Sequence, residues 1–162
     1  MGTGSKTNLT PFMEMTGERH LPADRERAWK ALNDPAVIVG CIPGGESMER
    51  IGENEYDVVI ASSLGPVRAR FKGRIRVEDI VEQASYTLRF EGQGLAAGLA
   101  RGSARVRLEE EPGGTLLRYA IDAQVGGKLA QVGGRLVDSA AVKLTDDFFA
   151  AFERRLATGS TT

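Results

Sequence analysis

The residues best suited to chemistry in this chain are its single histidine, His20, and its single cysteine, Cys41. Acid-base or nucleophilic catalysis needs paired groups within hydrogen-bond reach, and a metal site needs several ligands at set spacings. His20 stands beside Arg19 in a segment with strand periodicity, and Cys41 ends an apolar segment where a thiol packs as a small hydrophobic group. The carboxylates fall mostly on faces with a solvated pattern. We therefore expect no catalytic residue, no metal site and no cofactor.

The apolar residues favour ligand binding. Residues predicted to share one face of a sheet mix large side chains with glycine and alanine, and such a face can leave a cavity opposite a sparsely filled helix. The same glycines are typical of bulges in a curved sheet on which a helix packs closely. Each candidate position by itself also fits an ordinary core residue. The candidate cavity-lining residues are Trp29, Ile38, Ile42, Phe71, Leu88, Phe90, Leu95, Leu99, Val132 and Leu136.

A long C-terminal helix, predicted over residues 126–156, must form one wall of this cavity. Its apolar residues recur every three or four positions, which keeps them on one side of an α-helix. At 1.5 Å per residue the helix would be on the order of 40 Å long, enough to cross a sheet. Its first two turns contain four glycines, which favour either close packing and a loosely held start or room for a ligand. These glycines are Gly126, Gly127, Gly133 and Gly134.

Two short helices are predicted after a first strand at 12–21. The first helix, at 22–33, has Asp24 as its N-cap, and the second, at 36–41, follows Asp34 and Pro35, a typical cap and first helical residue. Glycines flank an apolar tip after the second helix, so this loop is either a gate to the cavity or a plain turn. The gate residues would be Gly40, Cys41, Ile42, Pro43, Gly44 and Gly45.

From residue 46 to residue 125 the hydrophobic period changes to two, which is typical of half-buried strands. We predict six strands, at 46–51, 54–63, 66–81, 84–95, 99–110 and 115–125. The connections are short, so the strands should form an antiparallel meander. With the first strand, the sheet would have seven strands.

Composition limits the class of protein. The chain has 162 residues, 21 basic and 22 acidic, and a formal net charge of -1, so no general affinity for nucleic acid is expected. The sequence contains no apolar run of the roughly 18–20 residues that span a membrane and no apolar signal core. We expect one cytoplasmic domain at 12–157, with disordered tails at 1–11 and 158–162.

The order of elements resembles the helix-grip fold of the START and Bet v 1-like (SRPBCC) superfamily, an α+β fold with a curved antiparallel sheet around a long C-terminal helix. Four segments, GERHLPADRERAWKALNDPAVIVGCIPG, SLGPVRARFKG, YTLRFEGQG and GKLAQVGGRLVDSAAVKLTDDFF, resemble the carbon monoxide dehydrogenase CoxG family. The resemblance covers about residues 12–156.

This resemblance implies a non-catalytic accessory protein of a carbon monoxide dehydrogenase-like molybdenum hydroxylase. It implies a lipophilic pocket, for which we favour a quinone over another lipid, and a role at the inner face of the cytoplasmic membrane. Some members carry a C-terminal anchoring extension. Because this chain ends six residues after Leu156, we expect any membrane contact to be reversible.

Two other functions remain open. Helix-grip relatives include polyketide cyclases that work largely by shaping a pocket, so a cyclase or hydrolase-like enzyme is one alternative. A protein-docking module is the other, because one sheet face would carry a basic excess only partly offset by Glu91, Glu109 and Asp122. The basic residues of that face are Arg68, Arg70, Lys72, Arg74, Arg76, Arg89, Arg101, Arg105, Arg107 and Arg118.

Overall fold

The computed structural model describes residues 12–64, 67–94 and 98–158. The first part of the chain forms β1 (Phe12–Leu21), α1 (Arg25–Leu32), α2 (Pro35–Cys41), β2 (Gly45–Gly52), β3 (Glu55–Leu64) and β4 (Val67–Val81). The second part forms β5 (Ser85–Gly94), β6 (Gly98–Glu111), β7 (Gly114–Gly126), α3 (Lys128–Gln131) and α4 (Gly134–Thr158). The predicted tails at 1–11 and 159–162 lie outside the described residues.

The seven strands form one antiparallel sheet in the order β1-β7-β6-β5-β4-β3-β2. The meander from β2 to β7 follows from the short turns, and β1 joins it by pairing with β7, the last strand. The predicted helix-grip architecture, with two short helices after β1 and a long C-terminal helix, is confirmed.

The two short helices begin where the sequence predicted. The Asp24 side chain accepts a hydrogen bond from the Arg27 backbone N–H at 2.8 Å, and the Asp34 side chain accepts one from Ala36 at 3.0 Å. Each aspartate satisfies a backbone donor that has no partner within the helix. Pro35 occupies the first turn of α2, where its missing N–H costs nothing.

The C-terminal helix differs from the prediction, because it is interrupted after one turn. A single helix was expected over 126–156, but α3 ends at Gln131 and α4 begins at Gly134. Gly133 has φ +97°, outside the right-handed helical region, so the chain changes direction there. The glycines that weaken this segment therefore end one helix and start another.

The buried residues form two clusters on the concave side of the sheet. The larger cluster joins β1, α1, α2 and the C-terminal half of α4, and includes Leu21, Leu117 and Phe152, each at most 2% exposed. The smaller cluster lies near α3 and consists of Val125, Leu129 and Val137. Close packing is thus concentrated at the two ends of α4.

Candidate functional site

An apolar cavity of about 290 Å³ lies between the concave face of the sheet and α4. Side chains from α1, α2, the central strands and α4 converge on it. The aliphatic and aromatic lining includes Leu32, Ile38, Ile42, Met48, Ile60, Ile75, Val77, Leu88, Ile121, Leu144, Phe148 and Phe149. Such a cavity favours an apolar ligand, because the lining gains contacts and excludes water when it is filled.

A second cavity of about 390 Å³ adjoins the first and lies closer to α3. Ile60, Ile75 and Leu144 line both cavities, so the two spaces meet at these three side chains. The small residues predicted to face inward contribute to this second wall: Gly73, Gly92, Ala100, Ala140 and Ala141. Together the two spaces form an elongated apolar site beneath α4.

Strand register explains how the sheet builds this wall. Ile75 on β4 lies opposite Tyr56 on β3 and Phe90 on β5, so the three side chains share the concave face. Leu88 lies opposite Ala104 on β6, and Ala104 lies opposite Ile121 on β7. Because side chains alternate between faces, the arginines between these residues point to the other side.

Five of the ten predicted lining residues border the cavities. Ile38, Ile42 and Leu88 line the first cavity. Phe71 and Phe90 line the second. The structure therefore brings these side chains from α2, β4 and β5 to one elongated site.

The other five predicted lining residues lie elsewhere. Trp29 is buried behind the wall in edge-to-face contact with Tyr86, and Val132 packs on the cluster near α3. Leu99 alternates with the inward Ala100 and lies on the convex face, 46% exposed. Leu136 is 36% exposed on α4 and borders neither cavity. Leu95 lies outside the described residues.

The predicted gate loop connects α2 to β2 at the rim of the first cavity. Ile42 reaches the cavity, Cys41 is buried in the larger cluster, and Pro43 is exposed. The Gly44 carbonyl accepts a hydrogen bond from the Ala61 N–H at 2.8 Å, which ties the turn to β3. Opening here would have to break that backbone bond, and gating remains a prediction.

Several cavity residues were not proposed from the sequence. Three tyrosines, Tyr56, Tyr86 and Tyr119, line the first cavity together with aromatic residues of α4. The strand alternation already places Tyr86 on the inward face with Leu88 and Phe90, so its parity was the available signal. The contribution of Phe149 could not be deduced, because it depends on how α4 is rotated against the sheet.

The residues considered for catalysis lie away from the first cavity. Burial raises the pKa of the Cys41 thiol, which keeps the thiol protonated near neutral pH. His20 is largely exposed, and its Nδ1 lies 2.8 Å from Glu111 Oε2. That hydrogen bond raises the pKa of His20. The neighbouring Arg19 pairs with Asp146 on α4, and its guanidinium lies 5.1 Å from the centre of the Phe149 ring.

The convex face carries mixed charge. Five of its ten basic residues pair with carboxylates on the same or neighbouring strands, and several of these carboxylates were not among those predicted to offset the charge. The pairs are Arg70 with Glu46, Arg74 with Asp57, Arg76 with Glu55, Arg89 with Glu78, and Arg118 with Glu18 and Glu109. A basic excess on this face is therefore not what the structure shows, because cross-strand pairs offset the arginines.

Among the helices that the structure describes, none has both the length and the hydropathy needed to cross a bilayer.

Solved structures with the same fold include one of a conserved protein from Geobacillus kaustophilus. It is 30% identical to this chain, covers 90% of it and 95% of the other chain, and superposes with a TM-score of 0.85. The Zhui aromatase/cyclase from Streptomyces sp. R1128 is 9% identical, with 90% and 94% coverage and a TM-score of 0.64. Ara h 8.0201 is 16% identical, with 91% and 99% coverage and a TM-score of 0.63. The last two show the fold alone. No curated protein matches the sequence.

The profile of one protein family, that of the carbon monoxide dehydrogenase protein CoxG, matches most of the chain. The match covers residues 17–157. This range includes both short helices, the whole meander from β2 to β7, and nearly all of α4. The chain therefore belongs to the carbon monoxide dehydrogenase CoxG family.

Proposed function

We propose that this protein is a non-catalytic accessory protein that carries a lipophilic ligand, a quinone or another lipid, for a carbon monoxide dehydrogenase-like molybdenum hydroxylase. The observation that carries the proposal is the elongated apolar site between the sheet and α4. The family name supplies the partner enzyme. Ligand binding and delivery of an electron carrier follow from combining the two.

The size of the site supports a ligand with an extended apolar part. Each of the two adjoining cavities, at about 290 and 390 Å³, approaches or falls within the range of known small-molecule pockets. Burial of each methylene group contributes about 0.8 kcal/mol. Several prenyl units or an equivalent acyl chain would therefore give micromolar binding once the costs of association are subtracted.

Reversible contact with a membrane would give such a ligand a route into the site. Leu136, Val142 and Leu144 on α4 are between 36% and 47% exposed, and Leu144 also lines both cavities. An exposed apolar strip that continues into a cavity is suited to accept a lipid from a bilayer. We therefore place the protein in the cytoplasm, with transient contact at the inner face of the membrane.

Mass spectrometry of an organic extract of the purified protein tests the proposal. Ile75→Trp should obstruct the point where the cavities meet, because Ile75 lines both of them. Leu136→Trp is the matched control, since it places the same indole on α4 outside the cavities. We expect an apolar compound to copurify with the wild type and the control, and its yield to fall at least about tenfold in Ile75→Trp.

Circular dichroism would confirm that both variants fold. The proposal is wrong if the extracts contain no apolar compound and the melting temperature of the wild type does not change with added quinone or phospholipid. Equal yields from both tryptophan variants would place any bound compound outside this site.

A further inference from the structure

The polar side chains that line the first cavity differ in whether they already have a hydrogen-bond partner. They are Asn33, Tyr56, Tyr86, Tyr119 and Thr145. The Asn33 side-chain amide donates to the Trp29 carbonyl at 2.8 Å, and the Thr145 hydroxyl donates to the Ala141 carbonyl at 2.8 Å. Both donors are therefore satisfied within their own helical segments.

The tyrosines show the same contrast. The Tyr119 hydroxyl interacts with the Arg19 side chain, and its ring stacks on Phe149 with 5.5 Å between centroids. Tyr56 is only half-buried, so its hydroxyl can be solvated. Tyr86 is 6% exposed and packs edge to face against Trp29, with ring centroids 5.5 Å apart.

The Tyr86 hydroxyl has no hydrogen-bond partner among the described residues. Over the same part of the chain, Arg25 Nε is the one fully enclosed side-chain nitrogen or oxygen that lacks a partner. The Tyr86 hydroxyl is therefore not sealed within the packing and must meet open space. Because Tyr86 is buried and lines the first cavity, that space is the cavity.

A buried hydroxyl donor without a partner is destabilising by roughly 1–3 kcal/mol, so such a group is normally paired. A single water would need two to four polar neighbours to be held there. The wall around Tyr86 offers it Val77, Leu88, Ala104 and Val106, all of them apolar. An acceptor atom on a ligand meets the need of the hydroxyl better than an isolated water does.

We propose that the ligand of this cavity carries a hydrogen-bond acceptor of the carbonyl type, which accepts from the Tyr86 hydroxyl, and an apolar remainder that extends toward α3. This inference rests on the proposed function and adds the polarity and direction of the ligand. A pure hydrocarbon chain would leave the donor unpaired.

The geometry of β5 gives the direction and length of the apolar part. Tyr86 and Leu88 face the first cavity, and Phe90 and Gly92 face the second. Six residues of strand separate Tyr86 from Gly92, about 20 Å at the usual rise per residue. A polar ring at Tyr86 with a chain of that length would fill both cavities and reach the cluster near α3.

A matched pair of probes isolates the hydrogen bond. The acceptor probe is 2,3-dimethyl-1,4-naphthoquinone, whose substituted ring carbons block addition of a thiol, and the hydrocarbon probe is 2,3-dimethylnaphthalene. Affinities are measured by calorimetry for the wild type, Tyr86→Phe and Tyr119→Phe. Tyr119→Phe is the control, because it removes a cavity hydroxyl that is already engaged by Arg19.

We expect Tyr86→Phe to weaken quinone binding about three- to tenfold, the range for one net hydrogen bond. Its affinity for the hydrocarbon should change less than about twofold, and Tyr119→Phe should leave both affinities within that limit. Infrared spectra give an independent measure: a carbonyl stretch lowered in the wild-type complex should return toward its free frequency in Tyr86→Phe.

Equal quinone affinity for the wild type and Tyr86→Phe, with an unshifted carbonyl stretch, would overturn this inference and leave the carrier function standing. If the wild type binds neither these probes nor any quinone or phospholipid, both proposals are wrong.

Discussion

His20 and Glu111 form a contact between the two ends of neighbouring parts of the sheet. His20 lies near the end of β1 and Glu111 at the end of β6, with β7 between their strands. Their side chains cross this gap to place Nδ1 and Oε2 2.8 Å apart. Because His20 is the single histidine of the chain, its titration can be observed without interference.

We predict that the pKa of His20 lies above 6.5, because the Glu111 carboxylate favours the protonated ring through its hydrogen bond and its charge. A raised pKa in the folded state means that protonated His20 stabilises the fold. That contribution is fully present below about pH 6.5 and is lost as the pH rises through the folded-state pKa. NMR titration of the imidazole protons measures this value.

Glu111→Gln should bring the His20 pKa back toward 6.5. Glu110→Gln is the control, because Glu110 lies 3.9 Å from Arg25 and not beside His20. An unchanged His20 pKa in Glu111→Gln would show that the contact does not form in solution.

At the scale of elements, the break between α3 and α4 sets the shape of the site. Leu129 on α3 lines the second cavity, while Ala140, Ala141 and Leu144 on α4 line it from the other side. A continuous helix could not bend in this way, because Gly133 at φ +97° lies outside the helical region. The interruption lets α3 close over the end of the site.

Two glycines with open surroundings separate backbone strain from steric effects. A Cβ atom at Gly133 or at Gly40 would meet nothing within 4 Å, but only Gly133 has a positive φ. We predict that Gly133→Ala destabilises the fold by about 1–2 kcal/mol, because an L residue is strained there. Gly40→Ala, within α2, should stabilise it by about 0.5–1 kcal/mol.

Urea denaturation of the two variants measures both changes in the free energy of unfolding. Stabilisation by Gly133→Ala would mean that α3 and α4 can join into one helix, as the hydrophobic periodicity predicts.

The whole molecule combines a closely packed end with a hollow middle. Phe148 and Phe152 stack on each other with centroids 5.8 Å apart, one turn from each other on α4. Phe152 is fully buried in the larger cluster, whereas the half-buried Phe148 lines the first cavity. Stability should therefore come mainly from the end that contains α1, α2 and Phe152.

We predict that Phe152→Ala lowers the free energy of unfolding by about 3–5 kcal/mol, the usual cost of truncating an enclosed phenylalanine. Phe148→Ala should cost clearly less, because part of its ring already faces empty space, and should enlarge the cavity. Urea denaturation of ligand-free protein checks the difference. Equal costs for the two truncations would indicate that the cavity is filled by the protein itself.

The sequence by itself determined the order of elements, the antiparallel meander, the helix caps and which side of each strand faces inward. These features depend on local periodicity and on the chemistry of single residues such as Asp24 and Pro35. The family could also be deduced, because its motifs are contiguous. Leu88 and Phe90 were placed inward by the same alternation.

Only the tertiary structure decided which inward residues border empty space. Gly92 lines the second cavity, whereas a side chain at Gly102 would collide with the backbone, 2.8 Å from the Ala123 Cα atom. Both glycines have the same parity and look alike in the sequence. Cavities depend on how the sheet curves and how α4 is rotated against it, and these are set by packing between residues far apart in the chain.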